Sequence, residues 1–247
     1  MPPPADTGAP ANARGGAALV VEMVSDLACP WCWLGLRRLM AARDAVAELD
    51  VEILFRPYEL DPQIPAEGVD YRTYMQARTN AAGQDQAARD RFVAMRTALE
   101  DYGKAEGVAF DFAGMTRRVN TFDAHRLVRW AQGQGKGAAA KEALFHAYFA
   151  EHRDISDAGV LSQIADTVGL DGEIVAGLLA KGADVRAVRD EQALFVKMGI
   201  RGVPTYVGNR SIAVQGAESA EKLADFLRTL AARQPAPRPI SQARPDA

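Results

Sequence analysis

The chain has 247 residues, 48% hydrophobic and 25% charged, in a mass of 26.6 kDa, the balance of an ordinary folded protein. A formal charge of −3 and a pI near 5.7 exclude the basic footprint that nucleic acid or an anionic membrane would need. No apolar run approaches the roughly 20 residues of a membrane-spanning helix.

Residues 1–16 are rich in Pro, Ala and Gly and read as an unstructured tail. They have neither a basic start nor an apolar run of the kind a secretory signal carries, so the chain is expected in the cytoplasm. Residues 18–24 read as a strand, 30–48 as a helix, and 51–57 as a second strand closing a βαβ unit. Asp61-Pro-Gln-Ile-Pro65 is a linker by its two prolines. Strand signals then stop for about 140 residues. Helical patterns cover 71–80, 84–106, 117–132, 136–152, 158–168, 172–180 and 183–198, with breaks at Gly83, Gly107, Gly169 and Gly182 among others. Asp157 and Asp171 stand where N-caps belong. Strand character returns over 204–215 with a tight turn at Gly208-Asn209. A last amphipathic helix covers 218–232, with Leu223, Phe226, Leu227 and Leu230 on one side. Residues 233–247 carry several prolines and read as a second unstructured tail.

A strand pair at each end of the chain is not stable as an isolated two-stranded sheet. Joining both pairs in one sheet satisfies them. The expected fold class is α/β: a thioredoxin fold, βαβ…ββα around a four-stranded mixed sheet, with a large all-helical insertion domain. Its two parts are expected at 17–62 and 183–232, with the insertion at 63–182.

Cys29-Pro30-Trp31-Cys32 lies where the first strand meets the first helix, and these are the only two cysteines in the chain. A C-x-x-C beside a βα unit points to thiol–disulfide chemistry. Residues three apart in a first helical turn share a face and lie within disulfide reach. The unpaired N–H groups at the helix start favour a thiolate, and Pro30 at the first helical position loses no hydrogen bond. Two other roles compete. A C-x-x-C can be half of a zinc site, with His146 and His152 as partners, but more than a hundred residues separate the pairs, unlike finger spacing. Structural cysteines are the other alternative, although structural disulfides are rare in the cytoplasm. No metal is expected.

Val203-Pro204 opens the third strand, where a proline is unusual because it cannot donate to the ladder. In a thioredoxin architecture this is the place of a cis-proline loop facing the C-x-x-C. Such a loop would leave the Val203 backbone free to pair with an extended thiol substrate.

Ser25-Asp-Leu-Ala-Cys-Pro-Trp-Cys-Trp-Leu-Gly35 resembles the active-site segment of the DsbA family, in particular its FrnE-like branch. So do Phe55-Arg-Pro-Tyr-Glu-Leu-Asp-Pro62, Asn120-Thr-Phe-Asp-Ala-His-Arg126, Tyr148-Phe-Ala-Glu-His-Arg-Asp-Ile-Ser-Asp157, and Gly202-Val-Pro-Thr205 with Val214-Gln-Gly-Ala-Glu218. The resemblance spans roughly residues 18–232 and implies a thioredoxin fold with thiol–disulfide exchange activity. The same superfamily holds 2-hydroxychromene-2-carboxylate isomerase and kappa-class glutathione transferases, which place a serine where Cys29 stands and activate glutathione's sulfur. Val203, Gly216 and Ala217 lie where those relatives hold glutathione, so glutathione is a candidate co-substrate.

Cys29 is accordingly expected as the exposed nucleophile and Cys32 as the buried resolving thiol. Pro30 and Trp31 tune the motif. They put no imidazole between the cysteines, which predicts an intermediate potential. Trp31, Asn120 and Tyr58 join Val203 and Pro204 as candidate substrate contacts, Trp31 as an apolar rim. Asp26 is a candidate proton acceptor for Cys32, with a turn or cap role as the alternative. His125 reads as a packing or surface residue. The expected substrates are protein or small-molecule thiols and disulfides, with no resident cofactor, acting as a monomer or homodimer. A glutathione-dependent isomerase or transferase, and a non-enzymatic peptide-binding or holdase module, stand as alternatives.

Overall fold

β1, Leu19–Ser25, is buried along its length except at Val20, the pattern of a strand covered on both faces. It leads through a short loop into α1, Pro30–Asp44, and then β2, Val51–Pro57, which runs parallel to β1 with Leu19 opposite Val51 and Ser25 opposite Pro57. The computed structural model describes residues 19–81 and 86–233. The expected tails at 1–16 and 233–247, apart from Arg233, which ends α9, together with the break at Gly83 and the start of the helix expected from residue 84, lie outside the described residues.

After β2 the chain forms β3 (Val69–Asp70), α2 (Tyr71–Ala81), α3 (Gln86–Glu106), β4 (Arg117–Arg118), α4 (Phe122–Gln132) and α5 (Gly137–Phe149). α6 (Ala158–Thr167), α7 (Gly172–Ala180) and α8 (Val185–Lys197) follow. The chain returns to the sheet with β5 (Thr205–Gly208) and β6 (Ile212–Gln215), and α9 (Ala220–Arg233) closes it. The main sheet has the order β2-β1-β5-β6, with β5 antiparallel to both β1 and β6. Both ends of the chain thus enter one mixed sheet, as expected. The β5–β6 turn places Asn209 (φ 46°) and Arg210 (φ 53°) in the left-handed region, and the Ser211 N–H closes it on the Gly208 carbonyl at 3.0 Å.

Three boundaries differ from the periodic patterns. The helix expected over 117–132 starts at Phe122, because Arg117 and Arg118 pair with Asp70 and Val69 in a two-stranded ladder that their charge concealed. The helix expected to reach His152 ends at Phe149: His152 adopts φ 55°, and the Arg153 N–H turns back to the Ala147 carbonyl at 2.8 Å. α1 ends at Asp44, short of Glu48. The two aspartate caps form, Asp157 accepting from the Val160 N–H and Asp171 from the Ile174 N–H.

α1 packs on α9 and also meets α3 and α5. Its Trp33 is buried against the rings of Phe145 and Phe149, each 6.1 Å away and nearly parallel to it, with Phe110 edge-on at 5.3 Å. Trp33 is therefore a core residue. Gly35, one turn beyond Cys32, lets the helix approach β5: a Cβ there would stand 2.8 Å from Pro204 Cγ and would overlap the Tyr206 hydroxyl. Gly35→Ala gains about 1 kcal/mol of helix propensity but forces overpacking that costs about 1–3 kcal/mol. Because the obstacle is a rigid proline ring and a buried tyrosine, the clash dominates. A lower denaturant midpoint with an unchanged m-value is the expected outcome.

Candidate active site

Cys29 is the N-cap residue of α1 in an extended conformation (φ −106°, ψ 111°), and no side chain caps the helix there. Its carbonyl accepts the Cys32 N–H at 3.0 Å, so the two cysteines close one turn. Both are free thiols. Cys29 Sγ stands 3.9 Å from the Val203 carbonyl oxygen, and the Val203–Pro204 peptide bond is cis. Gly216, at φ 98°, donates its N–H to the Pro204 carbonyl at 2.8 Å. The fold thus gathers Cys29, Cys32, Val203, Pro204 and Gly216. The carbonyl of the next residue, Ala217, accepts from Arg38, which is also paired with Glu106 of α3.

Cys29 differs from expectation in one respect. It is only 5% exposed, and Cys32 is fully buried. Phe92, Met95 and Leu99 of α3 help to wall a cavity of about 180 Å³ into which Cys29 opens, so its sulfur is reached through a recess. Burial pushes the Cys32 thiol well above its ordinary value, and the neighbouring Cys29 sulfur adds to the effect. Cys32 thus stays protonated until something takes its proton.

Asp26 and Lys141 both act on Cys32, and the buried His125 lies near both of them. Asp26 is buried, its carboxylate accepting from the Ala28 N–H at 3.1 Å, the Leu60 N–H at 2.8 Å and the Thr121 hydroxyl at 2.9 Å. These bonds tie the β1–α1 loop to the chain beyond β2 and to the start of α4. Lys141 of α5 is fully buried, and its Nζ has no hydrogen-bond acceptor among the described residues. It lies between the Phe55 and Phe145 rings, 5.6 and 5.3 Å from their centroids. Burial lowers its value to about 8, against the opposing pull of Cys32 and Asp26.

His125 of α4 is also buried, with Nε2 3.2 Å from the Tyr58 carbonyl oxygen. Burial and the nearby Lys141 hold its value down to about 4. The unfolded chain therefore binds a proton between about pH 6.5 and 4 that the folded chain refuses, so stability falls as pH drops through that window. The loss approaches roughly 3 kcal/mol. His125→Phe should flatten the pH dependence of the urea midpoint there.

Trp31 is half-buried, lines the Cys29 cavity and has its ring 6.2 Å from that of Tyr102. Asn120 and Tyr58 do not line it. Asn120 donates to the Ile64 carbonyl at 2.7 Å and accepts from the Phe122 N–H at 2.9 Å. Tyr58 packs beside Val24, Phe195 and Val207 on the other side of the sheet. His146 pairs with Glu151 and His152 with Asp111, and neither lines the cavity with Cys29.

Sequence reasoning missed Lys141, Arg118 and the arginine-bearing cavity wall. Lys141 did leave a signal: it precedes Leu144 and Phe145 by three and four residues and so shares their buried face. Arg118 left none. Its guanidinium turns inward to the Ala28 carbonyl at 2.6 Å and to Asp61 at 2.5 Å.

Residues 20–228 match the family model of the DSBA-like thioredoxin domain. The chain is 31% identical to a probable DsbA oxidoreductase from Streptomyces coelicolor, with a TM-score of 0.78 over 88% of this chain and 92% of that one. A 2-hydroxychromene-2-carboxylate isomerase aligns with a TM-score of 0.64 at 15% identity, over 86% of this chain and 96% of that one. The cytosolic disulfide reductase DsbM from Pseudomonas aeruginosa, solved with GSH, aligns at 0.59 and 19% identity, over 86% and 99%. These last two are likenesses of fold.

Proposed function

The chain belongs to the DSBA-like thioredoxin-domain family, and from that premise we propose that it is a thiol–disulfide oxidoreductase or isomerase working through Cys29 and Cys32. The observation that carries the proposal is a pair of free thiols one turn apart at the start of α1, with Cys29 Sγ against the Val203 carbonyl. The Cys29 thiolate attacks one sulfur of a substrate disulfide, forming a mixed disulfide and releasing the other sulfur as a thiolate that takes up a proton. Cys32 gives its proton to the nearby Asp26 carboxylate or to the fraction of Lys141 present as the neutral amine, while the charged fraction of Lys141 stabilises the Cys32 thiolate, which then attacks Cys29 Sγ. The second substrate thiolate leaves, the substrate has gained two electrons, and the protein holds a Cys29–Cys32 disulfide. In the reverse direction the same steps oxidise a dithiol.

The Val203 backbone, beside Pro204, is suited to hold an extended substrate strand across Cys29. We assign the return of electrons to glutathione, two molecules per cycle, with the backbone of Val203, Gly216 and Ala217 as its candidate seat. A cytoplasmic setting, which suits such a cycle, belongs to the same proposal; among the described residues no helix is long and apolar enough to cross a membrane. The test is turnover of bis(2-hydroxyethyl) disulfide with glutathione as reductant. Saturable turnover is expected. No turnover with either glutathione or dithiothreitol would contradict the proposal.

A further inference from the structure

The cavity beside Cys29 has a composition that narrows the substrate. Its volume is about 180 Å³, and a dry apolar cavity of about 150 Å³ is known to accept one benzene ring. Its walls are aromatic and thioether groups from distant parts of the chain, among them Tyr74, Met95, Phe112 and Phe149, and such surfaces favour a flat ring. Three arginines line it, Arg78, Arg96 and Arg118, and among the described residues no carboxylate does. This is a local excess of positive charge in a chain whose formal charge is −3.

The three arginines are not equivalent. Arg118 is committed to Asp61 and to the Ala28 carbonyl. Arg78 reaches Asp61 only at 3.5 Å and donates to the Tyr74 hydroxyl at 2.8 Å. Arg96 lies over the Phe112 ring at 5.1 Å and pairs with no carboxylate among the described residues. A half-buried guanidinium without an acid among the described residues, in the wall of a ring-sized apolar recess that a reactive sulfur also lines, is complementary to an anion on an aromatic group.

We propose that the preferred substrate is a disulfide or thiol whose sulfur is carried on a single aromatic ring bearing a carboxylate or similar anion. The ring enters the recess and the anion pairs with Arg96, assisted by Arg78. The inference rests on the thiol–disulfide chemistry proposed above and adds selectivity to it. Electrons balance as before: Cys29 forms the bond to one aryl sulfur, the aryl disulfide breaks, and one aryl thiolate leaves. In a single turnover the protein's own dithiol supplies both electrons.

The test follows single-turnover reduction of three disulfides by the reduced full-length protein. They are 5,5′-dithiobis(2-nitrobenzoate), an anionic ring; 4,4′-dithiodipyridine, a ring without the acid; and bis(2-hydroxyethyl) disulfide, with no ring. Each rate constant is divided by that of free N-acetylcysteine at the same pH, which removes differences in leaving group. The expected order is anionic ring, uncharged ring, aliphatic, with about tenfold between first and last, the scale of one charge-assisted hydrogen bond. Arg96→Met should bring the two aromatic ratios within about threefold of one another, and Met95→Trp, which fills the recess, should move both toward the aliphatic value. Equal ratios for all three disulfides overturn the proposal while leaving the exchange chemistry standing. So would a cystine peptide without aromatic residues reacting as fast, on the same scale, as the anionic ring. Absence of reaction with every disulfide overturns the exchange chemistry itself.

Discussion

Cys29→Ser is expected to lower disulfide turnover by about a thousandfold or more, because a serine hydroxyl is a far weaker nucleophile than a thiolate near neutral pH. Cys32→Ser should behave differently. Cys29 can still open a substrate disulfide, but without an added thiol reductant nothing then attacks the mixed disulfide, so a covalent adduct accumulates to about one per chain. Intact-mass measurement distinguishes the two variants directly. The asymmetry follows from the structure: Cys29 opens into the cavity beside the Val203 carbonyl, whereas Cys32 is fully enclosed one turn further along α1. An adduct on Cys29→Ser and none on Cys32→Ser would reverse the assignment.

Lys141→Met is expected to stabilise the protein while impairing it. The folded chain holds this amine at about 8 in place of its ordinary 10.5. Between those values the unfolded chain binds more protons, so stability rises with pH across that window. Below pH 8 the burial cost is fully present, roughly 3 kcal/mol from the size of the shift. A methionine of similar shape, between Phe55 and Phe145, removes that cost and fills the same space. Denaturant unfolding at pH 7 should therefore show a gain of up to roughly 3 kcal/mol, with the rise between pH 8 and 10.5 abolished. The functional cost falls on resolution of the mixed disulfide, where Cys32 must lose its proton. That step should slow and take on a steeper pH dependence, while the first attack by Cys29 is little changed. A variant less stable at pH 7 would contradict the burial cost, and one with an unaltered resolution step would remove Lys141 from the mechanism.

Much of the architecture was legible in the residues. β1 announced itself by an apolar run interrupted only by Glu22, the β5–β6 hairpin by Gly208-Asn209, and α9 by leucines and a phenylalanine at helical spacing. The C-x-x-C needed no structure to be noticed, and Val203-Pro204 pointed to its partner loop. What escaped depends on tertiary placement. Arg117 and Arg118 form a strand only because Val69 and Asp70 lie alongside, and no local pattern encodes that pairing. Lys141 resembles a solvated helix lysine until Phe55 of a distant strand closes over it. The cavity takes Cys29, Tyr74, Arg96 and Tyr148 from four separate stretches, so its shape and charge exist only in the folded chain. Asn120 and Tyr58, chosen as substrate contacts, instead join backbone segments: one bonds the Ile64 carbonyl, and the other lends its own carbonyl to His125.

The central claim is that Cys29 and Cys32 form a reversible two-electron couple. Equilibrating the protein in glutathione buffers of graded potential, quenching with an alkylating agent and weighing the products tests it most directly. A single two-electron transition is expected, with a midpoint between those of thioredoxin and DsbA, about −270 and about −120 mV. Two thiols that stay alkylatable at every potential, or a midpoint at the DsbA end, would contradict the account.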